Sequence, residues 1–323
     1  MKPDSVYPLK LEPILEAHAW GGSLLGAFLA AGGRPPALEK PTVSWSLRHH
    51  GEISSIVANG PWAGMALSRL LQDHAEPLMG LRYRPGDPFP LYARLMAAGE
   101  TRPIHVYPPA SAASPRENNM LWYVVDAHPG SSLGVGLGGG QSRYRFSDSK
   151  ESLPFESLLK AYPAYPRDSF FIPAGRIHCL HNDVLIWEIG QIPAEPLTLS
   201  GAATPGHLAA VSAVNFQDQR IARISGEAAT AQATRRVRIL PYCPNFFVDE
   251  IRLKDRLHNR TDGTVFSLLL HLSGKAEVRT PGLAEPLFPG DAVLLPASLG
   301  DYELFAVDGP ARLLQVTPNI LPR

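Results

Sequence analysis

Two thiols, Cys179 and Cys243, are all the cysteine in 323 residues. They exclude a disulfide framework and a four-cysteine zinc site, and they read as reduced, partly buried side chains. Excess charge of either sign is also missing, with 30 Lys and Arg against 30 Asp and Glu. Nucleic-acid-binding domains are usually strongly basic, so no nucleic-acid partner is expected. No apolar run reaches the roughly 18–20 residues of a membrane span. The first residues lack the charged-then-apolar order of a secretory leader. A soluble, cytoplasmic chain without a membrane partner is therefore expected. What is abundant is proline, 32 residues, and glycine, 28, without a collagen-like period. That predicts many tight turns and short elements rather than long helices. The apolar share of 45% suffices for a buried core, and the length predicts about two domains.

Segment 62–75 places Met65, Leu67, Leu70 and Leu71 near helical spacing after Pro61, which predicts a helix. Segment 89–98 is apolar but too short for its period to decide between helix and strand. Met120 to Ala127, Phe170 to Pro173 and Val184 to Ile189 read as strands. A short helix is expected over 152–161. Gly134 to Gly140 is glycine-rich, but it lacks the Lys-Ser/Thr of a phosphate loop and the spacing of a dinucleotide fingerprint. It reads as a strand connection. Segment 195–234 reads as irregular. From Arg235 onward short strands alternate with turns, at 246–248, 265–272, 276–278, 292–295 and 313–316.

An internal repeat sets the architecture. Pro166-Arg167-Asp168 and Pro289-Gly290-Asp291 are each followed by four mostly apolar residues and then Pro-Ala, at Pro173-Ala174 and Pro296-Ala297. Each proline belongs at a strand end, because it cannot donate within a ladder. Two all-β modules in tandem follow from this. The half-motif resembles that of the cupins, whose Gly-Asp turn is followed by Pro-x-Gly and a metal-binding histidine. Pro173-Ala174-Gly175-Arg176-Ile177-His178 places His178 at that position, and Asp301 stands there in the second copy.

A closer resemblance covers nearly the whole chain. Trp20-Gly21-Gly22 looks like the opening segment of type I mannose-6-phosphate isomerases. Segments 44–71 and 89–108 are similar to their next blocks. Leu121-Trp122-Tyr123-Val124-Val125-Asp126-Ala127 resembles their Cys-Trp-Tyr strand, and Phe171 to Gln191 resembles the block that carries the last metal histidine. The resemblance implies an isomerase of carbohydrate metabolism. It would interconvert mannose 6-phosphate and fructose 6-phosphate through an enediol, with one zinc stabilising the developing oxygen charge.

The resemblance also implies positions. The family's zinc-binding Gln falls at His105, its first His at Tyr107, its Glu at Met120 and its last His at His178. Tyr and Met are poor zinc ligands, so zinc is implied by kinship but expected to be weakly held or absent. Glu117 or Glu188 could be recruited in compensation. An active-site Lys becomes Arg94, another becomes Asn118, a Tyr becomes Leu180, and an Arg falls at about Thr198. The candidate catalytic residues are thus Arg94, Tyr107 and Glu188. The candidate substrate-binding residues are Trp20 and Met120, and the candidate metal ligands are His105 and His178. His49-His50 and His181 read as structural, and strand alternation turns Cys179 away from the face of His178.

The expected fold is mainly β, two tandem cupin jelly-roll barrels with a few short helices. The first, 1–230, would carry the pocket, and the second, 231–323, would be structural. The expected partner is a small carbohydrate, phosphorylated, and the alternative to an isomerase is a non-catalytic sugar- or anion-binding cupin.

Overall fold

A computed structural model describes residues 6–84, 86–110, 118–143, 158–191, 196–199, 206–224, 233–240 and 243–320. It is mainly β. A seven-stranded sheet runs in the order Arg223–Ile224, Ser169–Ile172, Met120–Ala127, Val184–Gly190, Tyr92–Ala98, Val43–Leu47, Ile14–Glu16. A five-stranded sheet runs Leu159–Pro163, Ser132–Leu137, His178–Leu180, Ile104–Val106, Leu197–Leu199. An eight-stranded sheet is built around Ser267–Thr280 and Asp301–Pro318.

The strands form here because both faces of the seven-stranded sheet are covered. One face contributes Trp45, Met96, Trp122 and Ile186 to a core shared with Leu133, Val135 and Leu180 of the five-stranded sheet. The other contributes Ala93, Leu95, Tyr123 and Trp187 to a core shared with Val248, Leu268 and Val316 of the eight-stranded sheet. This double burial explains why segment 89–98 showed no period: Tyr92–Ala98 is a central strand packed on both sides, with Arg94 its one charged residue. Between the two larger sheets Tyr123 donates to Glu250, which also pairs with Arg252 and Arg312, so the buried carboxylate is fully met.

The repeat is realised at matching turns. Arg167 and Gly290 both take positive φ, 83° and 91°. Asp168 accepts the Tyr165 N–H at 3.2 Å, and Asp291 accepts the Phe288 N–H at 2.9 Å. The strands Ser169–Ile172 and Ala292–Leu295 follow.

Several expectations change. Over 62–75 a single 3-10 turn, Gly60–Trp62, precedes a helix displaced to Leu67–Met79, because Gly64 at φ 82° reverses the chain between them. Leu159–Pro163 is a strand paired with Ser132–Leu137, which overrules a helix for 159–161; residues 152–157 lie outside the described ones. Within 195–234 the structure places a helix, His207–Ala213, and two short strands. The expected strands 265–272 and 276–278 are one strand, Ser267–Thr280, whose register shifts beside Gly274 let it bend rather than end. Leu9–Lys10 crosses the 230/231 boundary and pairs with Ala292–Leu295. Lys10 is held there by Asp291 at 2.7 Å and Glu285 at 3.4 Å.

Candidate functional site

Between the seven- and five-stranded sheets lies a cavity of about 380 Å³. Its lining includes His105, Tyr107 and His178 from one side and Arg94, Trp122 and Glu188 from the other. The segment 16–20, with Trp45 and Arg48, and the loop around Arg102 complete it. Every described lining residue precedes position 199.

His105 and His178 face each other as direct partners on neighbouring strands, with ring centroids 6.3 Å apart. Tyr107 lies parallel to His178 at 5.8 Å, and Trp122 meets it edge-on at 5.2 Å. His178 Nδ1 stands 3.0 Å from the Arg176 carbonyl. A carbonyl only accepts, so Nδ1 carries the proton and Nε2 keeps its lone pair. Burial pushes the His178 pKa down to about 4, partly offset by that carbonyl. Burial and the neighbouring His178 push His105 down to about 3. Both rings are neutral near pH 7.

Glu188 sits opposite in a closed set of donors. Its Oε1 accepts from Tyr92 at 3.0 Å and from Arg94 at 2.8 and 2.6 Å, and its Oε2 accepts from Trp122 at 2.9 Å. Burial alone would raise its pKa, but Arg94 and the two hydrogen bonds outweigh it, so the carboxyl lies below its ordinary range. Such a carboxylate is a weak proton acceptor. It orders Arg94 and Trp122. Arg94 in turn is occupied by Glu188 and rests on the Trp45 ring, its Cζ 4.5 Å from the centroid. Trp45 donates to Glu16 at 3.0 Å, and Glu16 pairs with Arg48 at 3.1 Å.

Trp20 enters the wall through its glycines. Gly22 N–H donates to Ala97, and the Trp20 carbonyl accepts from Gly99 and Glu100, at 3.0 to 3.2 Å. A Cβ at Gly99 would stand 2.7 Å from the Gly22 Cα, so the Trp-Gly-Gly turn and residue 99 must both be bare for the backbones to meet. Arg102, three residues further on, lies over the Trp20 ring at 3.8 Å.

Of the sequence candidates, His105, Tyr107, His178, Arg94, Glu188 and Trp20 come together here. Met120 does not line the cavity. Its side chain is buried in the core between the sheets, in one cluster with Tyr107, Trp122 and Ile172. His49 packs against Phe89 and contacts Ser54, away from the cavity. Cys179 borders the cavity but packs in the apolar cluster with Ile104, Val106 and Ile177, within 3.5 Å of His181. Glu117 lies outside the described residues. Arg102, Arg48, Glu16 and Trp45 were not anticipated. Alternation through His105 would turn Arg102 away, but Pro103 lies between them and the rule applies only to a regular strand. Trp45, between the buried small residues Ser44 and Ser46, did carry a readable signal.

The zinc that the resemblance implies meets a poor donor set here. Two neutral imidazoles, a phenol and a core thioether do not make the usual three or four ligands. Among the described residues no three His, Cys, Asp or Glu side chains group as a metal site. The described residues do not fit zinc.

No protein-family profile matches the chain. It is 32% identical over 191 residues to the probable mannose-6-phosphate isomerase GmuF of Bacillus subtilis (strain 168), covering 57% of this chain and 58% of that protein. It is 26% identical over 189 residues to the mannose-6-phosphate isomerase ManA of the same organism, with the same coverage. The chain spans less than two thirds of the length of these curated relatives. Among solved structures, mannose 6-phosphate isomerase from Bacillus subtilis superposes with a TM-score of 0.75 at 21% identity, over 96% of this chain and 99% of that one. A putative mannosephosphate isomerase from Archaeoglobus fulgidus gives 0.77 at 17% identity, over 96% and 97%. The resemblance to mannose-6-phosphate isomerases therefore holds in sequence, and the fold is theirs.

Proposed function

We propose that the chain is a mannose-6-phosphate isomerase-like protein of carbohydrate metabolism whose cavity receives a phosphorylated sugar, and that zinc-dependent isomerisation is weak in it. The observation that carries the first part is the charge of the wall. Three guanidiniums, Arg48, Arg94 and Arg102, face two carboxylates, Glu16 and Glu188, while both central histidines are neutral. Among the described residues one positive charge is left for a ligand, and an anionic sugar supplies its partner. The curated relatives bear the name of an enzyme acting on mannose 6-phosphate.

The second part rests on the donor set. Zinc would supply the Lewis acid of the isomerisation, and among the described residues the cavity offers it the nitrogens of His105 and His178. What the chain's own residues do is bind and orient. His178 presents Nε2 as a hydrogen-bond acceptor for a sugar hydroxyl, Trp122 and Tyr107 hold that ring in place, and Glu188 with Arg94 forms a rigid back wall. A pocket whose described lining lies before residue 199 supports a division into a site-bearing unit, 1–230, and a structural unit, 231–323.

The test is calorimetric titration of the purified chain with mannose 6-phosphate and with mannose, beside elemental analysis and a coupled isomerase assay with added zinc. Tighter binding of the phosphate ester, substoichiometric zinc and slow turnover are expected. Equal binding of both sugars would remove the first part. Stoichiometric zinc, with a rate that collapses in His105→Ala or His178→Ala, would remove the second.

A further inference from the structure

The geometry points to a dedicated phosphate-ester subsite at the mouth of the cavity, formed by Arg102 on the Trp20 ring and separate from Arg94. This rests on the phosphosugar reading and locates the ester within it. Arg94 stands where the family resemblance would put an active-site cation, but its guanidinium is held by Glu188 at 2.6 and 2.8 Å. Arg48 is likewise paired with Glu16 at 3.1 Å. Arg102 lines the same cavity and ion-pairs with no carboxylate among the described residues.

Its surroundings prepare it for an anion. The Trp20 ring lies against its guanidinium carbon at 3.8 Å, and His18 stacks on Trp20 at 5.0 Å with 11° between the rings. A guanidinium that rests on a ring keeps its in-plane N–H groups for acceptors, and two parallel N–H groups match two phosphate oxygens. The position is built into the backbone at both ends. Trp20 is tied to residues 99 and 100 through its carbonyl, and the Arg102 N–H donates to the Leu180 carbonyl at 2.8 Å, two residues after His178. The subsite is thus fixed relative to the two histidines. A sugar whose ester sits on Arg102 would direct its hydroxyls toward His105 and His178.

The experiment uses the full chain and three probes: inorganic phosphate, mannose 6-phosphate and mannose. Arg102→Gln should weaken binding of both phosphate-bearing probes by about tenfold or more, the worth of one charge-assisted pair. Binding of mannose should be unchanged, and the melting temperature should stay at the parental value. Arg102→Lys should recover only part of the loss, since a point charge cannot reproduce the fork. If Arg102→Gln binds mannose 6-phosphate as the parent does, the subsite is wrong and the phosphosugar reading survives. If the parent binds neither inorganic phosphate nor mannose 6-phosphate, both fall. If the parent binds inorganic phosphate through Arg102 but prefers mannose over its 6-phosphate, the subsite stands and the phosphosugar reading falls.

Discussion

Replacing Glu188 by Gln should cost far more than its near-identical shape suggests. Both carboxylate oxygens receive only donors: Tyr92 and Arg94 on one, Trp122 on the other. The amide nitrogen of Gln must occupy one of these places, and in either orientation it faces a donor. The variant also leaves the Arg94 charge without its partner, at a site where the carboxylate is only 3% exposed. Removing one member of a buried, hydrogen-bonded ion pair costs about 3–5 kcal/mol. At about 2–4 °C per kcal/mol for a domain of this size, the melting temperature should fall by roughly 6–20 °C. The sign with pH follows from the depressed carboxyl pKa. The stabilisation is full above the ordinary value of 4.5 and is lost as pH falls through the lower folded value, so parent and variant should converge on acidification. Urea unfolding at pH 7 measures the difference. The double variant Glu188→Leu with Arg94→Met should recover part of the loss, because it removes the stranded charge while the Tyr92 and Trp122 donors stay unmet. A single-variant loss below about 1 kcal/mol would refute the reasoning, since that is what an exposed pair contributes.

Three other outcomes follow from the same geometry. His105, His178 and His271 have folded pKa values pushed by burial from 6.5 to about 3, 4 and 4. The unfolded chain takes up these protons first, so stability should be full above about pH 6.5 and fall toward pH 4. The slope is up to about 1.4 kcal/mol per pH unit for each histidine; a flat urea midpoint between pH 7 and 5 would contradict it, and His178→Gln should flatten the slope by its share. Gly99→Ala should cost about 1–3 kcal/mol by overpacking, because its Cβ would meet the Gly22 Cα at 2.7 Å. Thermal melts would show this, and phosphate affinity should drop with it as Trp20 and Arg102 separate. Tyr107→His, which adds a third imidazole beside His105 and His178, should raise zinc retention in elemental analysis; no increase would mean that the three positions do not converge as a metal site.

What could be read in advance is what the chain settles locally. The Pro-x-Asp repeat was legible because its physics is contained in four residues: a carboxylate accepting an N–H three residues back, and a left-handed position that glycine fills in one copy and Arg167 in the other. Met120–Ala127 and Val184–Gly190 were legible because β-rich runs were bounded by turns. Long-range choices were not. Nothing near Leu9–Lys10 announces a partner at Val293–Leu294, and nothing near Arg102 announces Trp20, eighty-two positions earlier. Met120 was placed in the cavity by analogy of position, whereas its burial depends on a neighbouring strand.

The same contrast shows how the framework can be held independently of the side chains in the cavity. Trp20-Gly21-Gly22 is required by backbone contact with residues 97 to 100, and Gly175, at φ 82°, donates its N–H to the Tyr107 carbonyl. These bonds run through main-chain atoms and do not depend on which side chain stands at 105, 107 or 120. The strands that present those positions are held by cores on both faces of the seven-stranded sheet. A substitution in the cavity therefore changes its chemistry without releasing its walls, so that fold and activity can part company. The cavity holds neutral imidazoles and the Arg94–Glu188 ion pair, while Arg102 lies over the Trp20 ring.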